Sequence, residues 1–161
     1  TQSLKLALSN PKDIGIISEF KRHSPSKGDI NPTATVKEVT TGYVASGAAG
    51  LSVLTDEAFF KGTREDLIQA RSYNQTTPIL RKDFIIDEYQ LFEARAMGAD
   101  VILLIAECLE ANEVAQLTKR AKSLDLEVLM EVHSKEQLEK LVPEIDIVGV
   151  NNRNLKTFEV S

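Results

Sequence analysis

Six short apolar runs, rich in β-branched residues, alternate with longer segments of helical period along the whole chain, and this alternation limits the fold more than any other feature. The runs are residues 14–20, 50–54, 78–82, 101–105, 127–131 and 146–151. Runs of that length and composition suit strands covered on both faces. Residues 33–46, 64–73, 88–97, 111–124 and 135–141 read as helices. Pro32, Thr63 and Asp87 precede helix starts, Gly98 ends a helix, and Ser134 with Gln137 three residues on fits a capping box. Strand and helix in alternation predict a parallel sheet joined by helical crossovers. No linker or low-complexity tract divides the chain, so residues 1–161 read as one domain, either a βα barrel or a doubly wound sheet.

The polar residues decide between those two. The first run passes directly into Glu19-Phe20-Lys21-Arg22-His23-Ser24-Pro25-Ser26-Lys27-Gly28. On an extended backbone Glu19 and Lys21 point to the same side as Ile17, so an acid and a base share one face. The third run ends in Arg81-Lys82-Asp83-Phe84 with Lys82 in phase with Leu80, and the fifth ends in Glu131 beside Leu129. The sixth ends in Asn151, in phase with Gly149 and followed by Arg153. Any one of these charges reads equally well as a solvated surface group. Their recurrence at the carboxyl ends of four strands is the barrel pattern, with one shared mouth. A doubly wound sheet gathers its site at a switch point behind a Gly-rich turn, and residues 24–28 lack the G-x-G-x-x-G spacing.

Composition removes several function classes. At 161 residues and 42% hydrophobic content the chain can bury a sizeable core. Twenty-four acidic against nineteen basic residues give a net charge of -5 with no basic block, which disfavours a nucleic-acid partner. No apolar run approaches the roughly 20 residues of a membrane span. Residues 1–10 lack the regions of a signal peptide, so no membrane association and a cytoplasmic location are expected. Cys108 is the sole cysteine, which excludes an internal disulfide and a thiolate zinc cluster, and its neighbours Ala106 and Leu109 suggest a buried thiol. His23 and His133 lie far apart, so no metal site is expected and both read as structural.

Four segments carry a resemblance: residues 19–26, Leu80-Arg81-Lys82-Asp83-Phe84, Leu129-Met130-Glu131-Val132-His133, and Gly149-Val150-Asn151-Asn152-Arg153-Asn154-Leu155. In that order they resemble the indole-3-glycerol phosphate synthase family of tryptophan biosynthesis, as do Leu54-Thr55-Asp56 and the Phe59-Phe60-Lys61-Gly62 loop. The resemblance implies an α/β fold, the (βα)8 TIM barrel, acting on a phosphorylated small molecule without metal or cofactor. It implies ring closure of a carboxyphenylamino deoxyribulose phosphate with loss of carbon dioxide and water. Lys82 then matches the proton donor to the ketone oxygen, and Glu131 a second acid or base for dehydration. Glu19 matches another catalytic glutamate, and Lys21 a lysine that holds substrate and exchanges roles with Lys82. Ser24 and Asn151 match substrate contacts, and Arg153 a residue meeting the anthranilate carboxylate. Phe59, Phe60 and Phe84 are candidate apolar walls for the aromatic ring.

In one respect the chain departs from that pattern. A (βα)8 barrel takes about 200 residues or more, and this sequence reads as six strands, truncated after the sixth, with residues 3–8 as a shortened leading helix. The loops of strands seven and eight usually hold the substrate's phosphate. The chain alone is therefore expected to lack that anchor and to be inactive, and the open edges of strands one and six favour self-association. The competing readings are a non-catalytic scaffold, or another phosphate-binding barrel enzyme such as phosphoribosylanthranilate isomerase.

Overall fold

Each of the six expected runs forms a strand, and each after the first pairs in parallel with the run before it. The computed structural model describes residues 1–11 and 14–152. In chain order the elements are α1 (Leu4–Ser9), β1 (Ile17–Phe20), β2 (His23–Ser24), β3 (Gly28–Asp29), α2 (Val36–Ala45), β4 (Gly50–Leu54), α3 (Arg64–Tyr73) and β5 (Ile79–Lys82). There follow α4 (Tyr89–Met97), β6 (Val101–Ile105), α5 (Ala111–Ser123), β7 (Glu127–Val132), a 3₁₀ turn (Glu136–Lys140) and β8 (Ile147–Val150). The main sheet runs β1-β4-β5-β6-β7-β8, and β2 pairs with β3 as a small antiparallel hairpin. Chain neighbours become sheet neighbours because each crossover is a short helical connection.

Several element ends differ from the sequence reading, each for a local reason. Helix α2 begins after Thr35, not at residue 33, because the Thr35 hydroxyl accepts from Glu38 N and donates to the Glu38 carboxylate. Thr63 caps α3 as expected, in a reciprocal box with Asp66. Residues 135–141 hold only a 3₁₀ turn, and the expected Ser134–Gln137 box does not form. Gln137 Oε1 accepts instead from His133 N at 2.8 Å. The Glu136 carboxyl is held below its ordinary pKa by its own backbone N–H and then by the Ser134 hydroxyl. Cys108 is exposed rather than buried, because the chain turns immediately after β6 and carries it outward. Partial burial, then the Glu107 and Glu131 carboxylates, push its thiol pKa up.

The curled sheet has two apolar sides. Outward residues such as Leu51, Val53, Ile79, Ile102, Leu104, Val128 and Met130 pack with Leu67, Leu91, Val114 and Leu117 of the helices. Inward residues Leu80, Val101, Leu103, Ile105 and Leu129 form a second cluster with Leu4 of α1. Helix α1 thus plugs the amino-terminal end of the interior. Gly50 makes room for it, since a Cβ there would collide with Leu4 Cδ1. The inward Glu127 at the start of β7 caps the helix, accepting from Leu4 N at 2.8 Å, Lys5 N at 3.1 Å and the Ser3 hydroxyl. Asp100, beside it, accepts from Gln2 N at 2.7 Å, from Ile79 N at 2.9 Å and from Arg71. Leu4→Ala is expected to cost about 2–5 kcal/mol, measured by denaturant unfolding, since Leu4 is wholly buried and its neighbours are strands that cannot collapse inward.

Candidate active site

At the carboxyl ends of the strands the inward side chains change from apolar to charged. Ile17 is followed in phase by Glu19, Leu80 by Lys82, and Leu129 by Glu131. Lys82 Nζ lies 3.8 Å from Glu19 Oε2 and 3.7 Å from Glu131 Oε2, between two carboxylates but hydrogen-bonded to neither. Lys21 Nζ donates to Glu19 Oε1 at 2.7 Å, and Ser52 Oγ donates to Glu19 Oε2 at 3.3 Å. Asn151 Nδ2 donates to Glu131 Oε1 at 3.1 Å. The result is a row of alternating charge, Lys21, Glu19, Lys82, Glu131, across one mouth. Such a row can release a proton from an ammonium group and take one up on a carboxylate without long movements.

These groups line a cavity of about 570 Å³ together with Ser24, Phe60, Phe84, Leu103 and Ile105. The sequence therefore led to side chains that the fold brings together: Glu19, Lys21, Ser24, Phe60, Lys82, Phe84, Glu131 and Asn151 all face it. Phe59 lies outside the lining, edge-on to Phe84 with ring centroids 5.9 Å apart. Arg153 lies outside the described residues.

Two loops roof the cavity. The Asp56 carboxylate accepts from Phe59 N at 2.7 Å and Phe60 N at 3.1 Å, folding that loop back over the end of β4. Gly62 closes the turn, because a Cβ there would strike the Leu54 carbonyl. On the other side the β2–β3 hairpin presents Ser24, whose Oγ accepts from Lys27 N at 3.2 Å. Asp29 joins the two loops: His23 Nδ1 lies 2.8 Å from its Oδ1, and Lys61 Nζ donates to the same oxygen at 3.1 Å. Opposite a carboxylate, His23 Nδ1 carries the proton.

Sequence reasoning passed over Arg81. It points outward from β5, is 3% exposed, and donates to Thr55 Oγ1 at 3.0 Å, Gln90 O at 2.7 Å and Asp83 Oδ2 at 2.9 Å. Asp83 also accepts from Thr55 Oγ1 at 2.6 Å and Phe84 N at 2.8 Å. Lys82 is thus held between two neighbours that are both tied to the Thr55 hydroxyl. The available signal was a cation in phase with the apolar Ile79 and two residues before an aspartate able to pair with it. Arg22 makes a similar tie, with Nη2 at 2.6 Å from Asp66 Oδ2, fastening the segment after β1 to α3.

The indole-3-glycerol phosphate synthase family model matches residues 1–161. The chain belongs to that family. An indole-3-glycerol phosphate synthase of Bacteroides thetaiotaomicron is 51% identical over 158 residues, covering 98% of this chain and 60% of that protein. One of Polaromonas naphthalenivorans is 48% identical over 158 residues, covering 98% and 59%. The chain thus spans about 60% of the length of these indole-3-glycerol phosphate synthases. Among solved structures, tryptophan synthase subunit alpha from Legionella pneumophila aligns with a TM-score of 0.65 at 15% identity, over 94% of this chain and 68% of that one. The 3-keto-L-gulonate-6-phosphate decarboxylase of Vibrio cholerae gives 0.62 at 17%, over 88% and 63%. At those identities the likeness is one of fold. It agrees with the βα barrel and not with the doubly wound sheet. Among the described residues no group of three or more His, Cys, Asp or Glu is placed to hold a metal ion, and no helix is long and apolar enough to cross a membrane.

The loop clasp has a pH dependence of definite sign. His23, then Lys61, hold the Asp29 carboxyl below its ordinary pKa, so the clasp's contribution is complete above that ordinary value and lost as pH falls through the lower folded one. A carboxyl-carbon NMR titration of Asp29 is expected to show a midpoint below about 3.9, moving upward in His23→Phe and in Lys61→Ala.

Proposed function

We propose that this chain supplies the first six units of an indole-3-glycerol phosphate synthase barrel, and with them most of its proton-transfer groups. The observation that carries this reading is the Lys82 ammonium suspended between Glu19 and Glu131 on the floor of one cavity. The substrate is 1-(2-carboxyphenylamino)-1-deoxyribulose 5-phosphate. The aryl carbon bearing the carboxylate attacks the ketone carbon of the same molecule, and Lys82 delivers a proton to the ketone oxygen as the carbon–carbon bond forms. The carbon–carboxylate bond then breaks, its electrons restore the aromatic ring, and carbon dioxide departs. The new hydroxyl leaves as water while a proton is lost from the adjacent methylene carbon, with Glu131 as the second acid or base.

Glu19 lies within reach of both lysines, so Lys21 can restore the proton that Lys82 gives away. Lys21 and Ser24 hold substrate from the first strand's side, Asn151 from the last, and Arg153 meets the ring carboxylate. Phe60 and Phe84 flank the aromatic ring, with Phe59 bracing Phe84. No metal or redox group is required by these steps. The reading assigns the phosphate anchor and the two remaining βα units to the part of the relatives' length that this chain does not span. In isolation the 161-residue chain is then inactive and associates through β1 and β8, where Val148 and Val150 stand exposed. The reading places the enzyme in the cytoplasm.

The test is a fluorescence assay for indole-glycerol phosphate, run on this chain beside a version extended to the relatives' length and its Lys82→Ala variant. Turnover is expected in the extended form alone, with kcat falling by about 10²–10⁴ in the variant. Absence of turnover in the extended form sinks the catalytic reading and leaves a scaffold.

A further inference from the structure

His133 follows Glu131 by two residues, just past the end of β7, and its side chain is 9% exposed. Strand alternation sends residues 131 and 133 to the same side, and the imidazole Nε2 comes within 3.3 Å of Glu131 Oε1. The two are nevertheless out of hydrogen-bond alignment, and among the described residues neither ring nitrogen has a hydrogen-bond partner. A neutral imidazole carries one donor and one acceptor, and burying both unmet is a cost that folds rarely retain without a reason. A purely structural histidine gives none. The acceptor close at hand is the carboxylate assigned above to dehydration.

The backbone that carries the ring is held in place from behind. His133 N donates to Gln137 Oε1 at 2.8 Å, and Gln137 Nε2 donates to Glu107 Oε2 at 2.6 Å, joining the turn after β7 to the turn after β6. Glu131 is thereby divided in function between its two oxygens. Oε1 faces back, toward Asn151 Nδ2 and His133 Nε2, while Oε2 faces Lys82. His133 itself does not line the cavity.

We infer that His133 is a positioning residue for Glu131, its Nε2–H restraining Oε1 from behind so that Oε2 stays turned toward Lys82 and the reacting oxygen. This rests on the synthase reading of the site. A slight rotation of the ring completes the hydrogen bond, and the geometry then no longer depends on the Asn151 amide alone.

The test compares His133→Phe and His133→Gln in the extended form. The Phe variant fills the space without a donor, and its kcat is expected to fall about 10–100-fold with KM and melting temperature nearly unchanged. The Gln variant, whose amide N–H takes the place of Nε2–H, is expected to recover most of the rate. In a Glu131→Gln background, His133→Phe is expected to add no further loss. A wild-type kcat in the Phe variant, a loss carried equally by KM, or a full additional loss on top of Glu131→Gln overturns the inference. Should the Phe variant not fold, the imidazole ¹⁵N spectrum of His133 decides. A ring protonated at Nε2 whose signals move in Glu131→Gln supports the role, and one indifferent to that substitution overturns it. The same spectrum keeps the two ideas separate, because a wild type without turnover refutes the synthase while the imidazole signals still report whether His133 holds Glu131.

Discussion

The two-residue repeat of the parallel strands is the constraint on which this chain depends. In β6 it sends Val101, Leu103 and Ile105 to the interior and Ile102 and Leu104 to the helices, and all five are buried. With both faces of the sheet covered, a polar side chain finds room at a strand's ends or not at all, unless partners come to meet it. The parallel register then aligns those ends. Every amino end falls on one rim and every carboxyl end on the other, so two populations of charge are sorted by strand direction alone.

The two rims use their charges differently. On the amino-terminal rim Asp100, Glu127 and Asp146 are saturated by backbone N–H groups together with the side chains of Arg71, Ser3 and Lys122: Ile79 N lies 2.9 Å from Asp100, and Val128 N lies 2.8 Å from Asp146. These carboxylates finish strands and cap a helix. On the opposite rim Lys82 stands 3.7–3.8 Å from its two carboxylates, close enough for attraction and too far for a hydrogen bond. A group held loosely between two opposite charges can be drawn to a third without breaking a strong bond, whereas a saturated carboxylate cannot. The amino-terminal rim is thus tied by full hydrogen bonds, while on the carboxyl-terminal rim Lys82 is held by charge alone.

The strand order and the facing of Glu19, Lys82, Glu131 and Asn151 were legible because both follow from alternation, which is written directly in the sequence. What escaped reading was decided by tertiary partners. Arg81 looks like half of a surface dipeptide until the Gln90 carbonyl and the Asp83 carboxylate are seen around it. Cys108 sits beside apolar residues, yet a turn rotates it outward. Ser134 and Gln137 have the spacing of a capping box, but spacing does not choose partners, and each found another. His133, read as structural, carries no signal in sequence beyond its distance of two from Glu131. The chemical roles came from the family resemblance, since alternation says where a carboxylate points and nothing about what it does.

Arg81 and Lys82 are adjacent in the chain and belong to opposite sides of the sheet. The guanidinium is fixed by α4, through the Gln90 carbonyl at 2.7 Å and the Glu93 carboxylate at 3.4 Å, while the ammonium group one residue on projects into the mouth. The outer layer of helices is therefore not a neutral wrapping. Its placement is inherited, through one peptide unit, by the ammonium group that stands between Glu19 and Glu131. A substitution that shifts α4 on the outer face is therefore felt on the inner one, at an ammonium group that α4 never touches.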